Sequence, residues 1–168
     1  MKTILIDLTS LDDNFSGIEH YALYITKELI KYENYVFDLV FKNKVSRIEE
    51  TILKQKNVNI HIISGNRWKV LLYSLPKLID ELKPDYALFL AFPPSFLWKP
   101  NKKTRVISTI HDLVAFDVPQ TMSFNSRLFF RLSIKHDLKI SDKIITISEF
   151  SKKRIMDFLH VKEEDIIL

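Results

Sequence analysis

Two kinds of hydrophobic spacing alternate along the chain. Short runs that are apolar at nearly every position, TILIDL at 3–8, YVFDLVF at 35–41, VNIHII at 58–63 and DYALFLA at 85–91, read as strands buried on both faces. TRVISTI at 104–110, KIITI at 143–147 and the final DIIL read the same way. Between them the apolar residues recur at three and four, as helices require. Ile18, Tyr21, Ala22, Ile25 and Leu29 predict a first helix, opened by an S-x-x-E capping box at Ser16 and Glu19. A polar helix is expected over 45–56. Leu71, Leu72, Leu75, Leu78, Ile79 and Leu82 predict a helix over 68–82 that must accommodate Pro76. Further helices are expected over 123–140 and 149–159.

The resulting order, βαβαβαββαβαβ, predicts an α/β fold: a doubly wound, mainly parallel, Rossmann-like sheet with helices on both faces. At 168 residues, without repeats, low-complexity segments or linkers, the chain reads as one domain over 1–168. Ligands of such sheets bind beyond the carboxyl ends of the strands. That rule selects the loops at 9–17, 91–103 and 111–122, together with Ser148.

Composition narrows the chemistry. There are only two glycines, Gly17 and Gly65, so neither the G-x-x-x-x-G-K-[ST] nor the G-x-G-x-x-G phosphate loop can be written. Without cysteine there is no disulfide scaffold, thiolate zinc site or cysteine nucleophile. The five histidines never fall at metal-binding spacing, so no metal is expected. MKTILIDLTS is neither a signal peptide nor a membrane span, and the chain reads as cytosolic. Of the net charge of +4, most lies late: residues 99–154 carry 12 basic and 5 acidic side chains, whereas 1–84 carry 12 and 11. Nucleic acid, a phosphorylated substrate or an anionic membrane would each answer to that excess. No nucleic-acid motif accompanies it, which leaves nucleic acid the weakest of the three.

Within the selected loops a few residues stand out. Gly17, after the capping Ser16, either serves a turn or lets an anion or sugar hydroxyl approach the helix amides. His111 and Asp112 follow the fifth strand directly, where a histidine either meets a substrate hydroxyl or caps its own loop through a backbone carbonyl. Arg127, Arg131, Lys135 and Lys139 step by four along the next helix, with Lys143 following at the same spacing beyond it, reading either as a solvated face or as a hold for phosphate or lipid. Ser148 is a good N-cap and Glu149 suits the positive end of a helix, which explains both structurally. Asp12 and Asp13 resemble the acidic pair of phosphoacceptor receiver domains, but Ser64-Gly65 stands where the acceptor Asp would be, which argues against that reading.

Three segments, SGIEHYALYITKEL, TIHDLVAFDVPQTM and SDKIITISEFSKKRIMDFLHVKEEDIIL, in this order and nearly spanning the chain, resemble the N-terminal domain of glycosyltransferase family 4. These are retaining transferases of the GT-B fold. The resemblance implies an acceptor-binding half that helps move a sugar from a nucleotide-sugar donor to a glycan or lipid-linked acceptor, without a metal or other cofactor. It implies that His111 faces the reacting sugar and positions its hydroxyl. Ser16 and Gly17 would let donor phosphate and acceptor approach the first helix, and Asp112 would lie beside the acceptor. Arg127 or Arg131 would stand where some relatives hold an acceptor phosphate, and Ser148 and Glu149 would match the family's S-E at the cleft edge. Glu19 and His20 replace the second glycine and the arginine that relatives often carry in the first loop. The family's E-x-x-x-x-x-x-x-E donor site belongs to a second, C-terminal domain, and the sequence stops where the linker to it would begin. The expectation is therefore an inactive half of a surface-polysaccharide or glycolipid transferase, peripheral at the cytosolic membrane face. The alternative is a non-catalytic binding module or a half-protein that partners a separate donor-domain subunit.

Overall fold

The all-apolar runs do become strands. The computed structural model describes residues 1–11, 16–44 and 50–168, with only the backbone at Thr51 and Leu53. Seven strands, β1 (Lys2–Asp7), β2 (Tyr35–Lys42), β3 (Val58–Ile63), β4 (Tyr86–Phe89), β5 (Arg105–Thr109), β6 (Lys143–Ile145) and β7 (Ile166–Ile167), form one sheet in the order 3-2-1-4-5-6-7. Every pairing is parallel, with Ile4 opposite Phe37 on one side and Tyr86 on the other. The strand order reverses between β1 and β4, which opens a crevice at their carboxyl ends.

Alternation along the strands divides the core. Ile4 and Ile6, with Phe37, Leu39 and Phe41, pack against α1 (Gly17–Leu29). Their neighbours Leu5, Val40, Ala87 and Val106 point the other way, onto Leu75 and Ile79 of α4 (Leu75–Leu82) and onto Trp98. A third cluster joins Ile110, Leu113 and Ile144 to Ile134 of α6 (Phe124–Ile140) and Ile155 of α7 (Glu149–Leu159). The expected doubly wound α/β architecture is the one observed.

Several boundaries differ from the sequence pattern for local reasons. Of the polar helix expected over 45–56, residues 45–49 lie outside the described residues and α2 covers Glu50–Leu53. It ends early because Asn57 turns back, donating its amide to the Ile30 carbonyl while its own carbonyl accepts from the Phe37 amide. The helix around Pro76 is kept by a change of winding. After α3 (Arg67–Lys69) the stretch Val70–Ser74 is π-helical, so the Leu75 amide reaches Val70 five residues back, and proline, with no N–H, enters in the first turn of α4. β4 stops at Phe89 rather than Ala91, and the Leu90 carbonyl accepts instead from the His111 side chain. The loop at 111–122 holds a short α5 (Val114–Asp117) and a 3-10 turn (Pro119–Thr121) that spacing did not show.

Candidate functional site

The crevice predicted by the strand order is a cleft of about 330 Å³. It is walled by Ile18 of α1, Ala91 to Pro93 after β4, Thr109 to Asp112 at the end of β5, and Phe130 and Ile134 of α6. Most of that wall is apolar. Its polar side chains are Thr109, His111, Asp112 and Thr121.

His111 is held from two sides. Its Nε2 lies 2.9 Å from the Leu90 carbonyl, which can only accept, so Nε2 carries the proton and Nδ1 is left as the acceptor of the neutral ring. The ring stands edge-on to Tyr21, centroids 5.0 Å apart at 89°. The Ser151 hydroxyl of α7 donates to the His111 carbonyl at 3.1 Å, fixing the backbone as well. A ring pinned in this way offers one nitrogen in one orientation, which suits positioning a hydroxyl. Asp112 is exposed beside it, with one oxygen accepting from the Val114 amide at 3.0 Å.

Around α1, Ser16 and Glu19 form the expected capping box: Ser16 Oγ accepts from the Ile18 amide at 3.3 Å and Glu19 Oε2 accepts from the Ser16 amide at 3.0 Å. The two side chains also touch directly, Ser16 Oγ donating to Glu19 Oε2. Gly17 begins the helix with nothing among the described residues within 4 Å of where a Cβ would stand, and its φ is not left-handed. Among the described residues neither the backbone nor the packing needs a glycine there.

The other candidates lie elsewhere. Arg131 Nε donates to the Ala115 carbonyl at 2.7 Å with its guanidinium 5.3 Å over the Phe116 ring, and Arg127 reaches the Pro119 carbonyl at 3.4 Å. Both hold the loop at 113–122 onto α6, and neither lines the cleft. Ser148 caps α7, accepting from the Ser151 amide at 3.1 Å, and Glu149 is exposed at the first turn. Asp12 and Asp13 lie outside the described residues. Among the described residues no group of His, Asp and Glu is arranged to hold a metal.

Sequence reasoning missed a second hollow, of about 260 Å³, that shares Phe92 with the cleft. It is lined by Thr9, Ser10, Glu19, Lys42 and Arg67, with the Arg67 guanidinium 5.0 Å over the Phe92 ring. The Ser10 hydroxyl is buried there with no hydrogen-bond partner among the described residues. Nearby, burial pushes the Asp7 carboxyl upward, opposed by the Thr9 amide that donates to it at 2.9 Å. Ser10 and Arg67 had no distinguishing spacing. Their shared position at the carboxyl edge was the available signal.

The sequence profile described as Glycosyltransferase Family 4 matches residues 15–168. No curated protein sequence matches the chain. Among solved structures, the UDP-GlcNAc 2-epimerase of Methanocaldococcus jannaschii aligns with TM-score 0.61 at 14% identity, over 100% of this chain and 45% of that one. The S. aureus MnaA–UDP structure aligns with TM-score 0.60 at 11% identity, over 100% and 43%. The wall teichoic acid polymerase TagF, as its H548A variant, aligns with TM-score 0.60 at 17% identity, over 99% and 38%. These likenesses are ones of fold, and the chain spans less than half the length of each of these proteins.

Proposed function

Since the chain belongs to glycosyltransferase family 4, we propose that it is the acceptor-binding domain of a retaining, metal-independent transferase of the hexosyltransferase type. The donor is a nucleotide-diphosphate sugar held mainly by a second domain, and the acceptor is a glycan or lipid-linked sugar of surface-polysaccharide or glycolipid synthesis. The protein works at the cytosolic face of the membrane, as a peripheral protein.

The observation that carries this reading is the pinned His111 at the carboxyl edge, in the same cleft as Ile18 from the first turn of α1. With Nε2–H held by the Leu90 carbonyl, Nδ1 accepts a hydrogen bond from a sugar hydroxyl and sets its direction. Positioning of this kind takes no part in bond making and needs no change of protonation. Without a side chain at Gly17, a phosphate or hydroxyl approaches the start of α1, where Ser16 caps the first-turn amides, and the hollow behind Phe92 supplies polar contacts for the rest of the acceptor. Departure of the nucleotide diphosphate calls for cationic and helix-terminal stabilisation from the donor half, so this chain alone does not turn over.

The test is sugar transfer by a protein carrying both halves, with His111 intact or replaced. His111→Ala should lower kcat by about 100-fold or more, in line with loss of a positioning contact to the reacting group. Unchanged transfer would refute the role given to His111. Ligand binding without transfer by the two-domain protein would favour a non-catalytic module.

A further inference from the structure

α6 is apolar where it should be polar. Its buried side is Ser133, Ile134 and Asp137, yet the opposite crest carries Phe124, Leu128 and Leu132, exposed to 66%, 47% and 43%. Lys135 and Lys139 continue that crest. A row of rings runs from the cleft through Phe130 and Phe129 of the same helix to Trp68. Phe92 and Phe130, both in the cleft wall, have centroids 6.0 Å apart, Phe130 meets Phe129 at 5.7 Å, and Phe129 meets Trp68 at 4.9 Å and Phe96 at 5.9 Å. Trp68, at the end of the row, is 47% exposed, and Leu97, next to Phe96 in the chain, is 57% exposed.

The charge on the same elements has one sign. Residues 67–75, 91–104 and 123–140 together hold nine lysines and arginines and one acid, Asp137, which is buried against the Ser108 and Ser141 hydroxyls. Exposed aromatic and leucine side chains set among basic ones match the interface of an anionic bilayer, where rings and leucines enter the acyl boundary and ammonium groups meet phosphates. Among the described residues no helix is long and apolar enough to cross a membrane, so the contact would lie in the plane of the surface. A second copy of the chain would bring the same positive face against itself and is disfavoured by that charge.

We propose that the face made by Trp68, Leu97 and the Phe124–Leu128–Leu132 crest seats on an anionic lipid bilayer and turns the His111 cleft toward an acceptor anchored in it. This deepens the membrane part of the proposed function by naming its surface. Only the presentation of an acceptor rests on the transferase reading, since the seating is measured without sugar transfer.

The two tryptophans make the test direct, because Trp68 is exposed and Trp98 is 4% exposed. The chain is mixed with vesicles of phosphatidylcholine containing about one third phosphatidylglycerol, at roughly 50 mM and 0.5 M salt. Co-sedimentation, a blue shift of Trp68 emission and quenching by brominated lipid are expected at low salt, and weaker binding at high salt. Trp68→Phe should remove the emission change and leave the buried Trp98 signal. Leu128→Ser with Leu132→Ser, both at exposed positions, and separately Lys135→Gln with Lys139→Gln, should each weaken partitioning about tenfold or more with the near-UV spectrum unchanged. The proposal is overturned by no binding at low salt, by equal binding of the leucine variant, by a concentration-dependent shift of Trp68 without lipid, which would assign the face to a second copy, or by retention on DNA but not on lipid. Failure on any of these counts leaves the His111 experiment untouched, and loss of transfer in that experiment leaves the lipid measurement untouched.

Discussion

Asp137 is a carboxyl group buried under α6. Its Oδ1 accepts from Ser108 Oγ at 2.7 Å and Ser141 Oγ at 2.6 Å, while Oδ2 and the hydroxyl of Ser133 have no partner among the described residues. Burial raises its pKa from 3.8 to about 6, with the Ser141 and Ser108 hydroxyls pulling against that rise. The folded protein therefore binds this proton more tightly than the unfolded chain, so the group adds stability below pH 3.8 and loses it as pH rises through about 6. At 1.36 kcal/mol per pH unit, the shift corresponds to about 3 kcal/mol across that window. Asp137→Asn keeps an oxygen for Ser108 and Ser141 and places an amide where Oδ2 has no donor. The assay is urea unfolding followed by tryptophan fluorescence at intervals from pH 4 to 7, for both proteins. The two should be nearly equally stable near pH 4, and the variant should gain on the wild type as pH rises, by about 1 to 3 kcal/mol at pH 7. Asp7, also raised by burial, contributes with the same sign to both proteins and cancels in the difference. A difference that stays flat, or one that favours the wild type at pH 7, would refute the assignment of the shift to Asp137.

Two further expectations follow from the loops. Gly17→Ala should leave stability within about 0.5 kcal/mol, since a Cβ there meets nothing within 4 Å among the described residues. It should nevertheless lower transfer by the two-domain protein, and equal transfer would return Gly17 to simple turn chemistry. Arg131→Ala removes the 2.7 Å hydrogen bond to Ala115 and the stacking over Phe116, and should cost about 1 to 3 kcal/mol in thermal or urea unfolding. Proteolysis should then open the loop at 113–122 first, and a loop no more susceptible than before would count against its being held by Arg131.

Much of the architecture was legible along the chain. The helices expected over 123–140 and 149–159 appear with Ser123 and Ser148 as their caps, and the Ser16–Glu19 capping box forms as written. The strand order put His111 and Asp112 at the ligand edge, and the cleft is there. Less was legible where two distant segments meet. The basic row of α6 reads as a single stripe, but Arg127 and Arg131 are turned onto loop carbonyls 8 and 16 residues earlier, leaving Lys135 and Lys139 exposed. Asp137 sits among polar neighbours in the sequence and is buried because Ser108 of β5 lies beneath it.

By itself, the sequence determined the alternation of strand and helix, the caps and the parallel doubly wound class. These depend on spacing of two or of three to four residues, and on side chains bonding to amides within the same turn. The tertiary structure decided which tautomer His111 carries, which arginines hold a loop, and which aromatic residues stay in water. Each of those outcomes depends on a carbonyl, ring or hydroxyl that the sheet brings from far along the chain, as Leu90 is brought to His111 and Trp68 to Phe129.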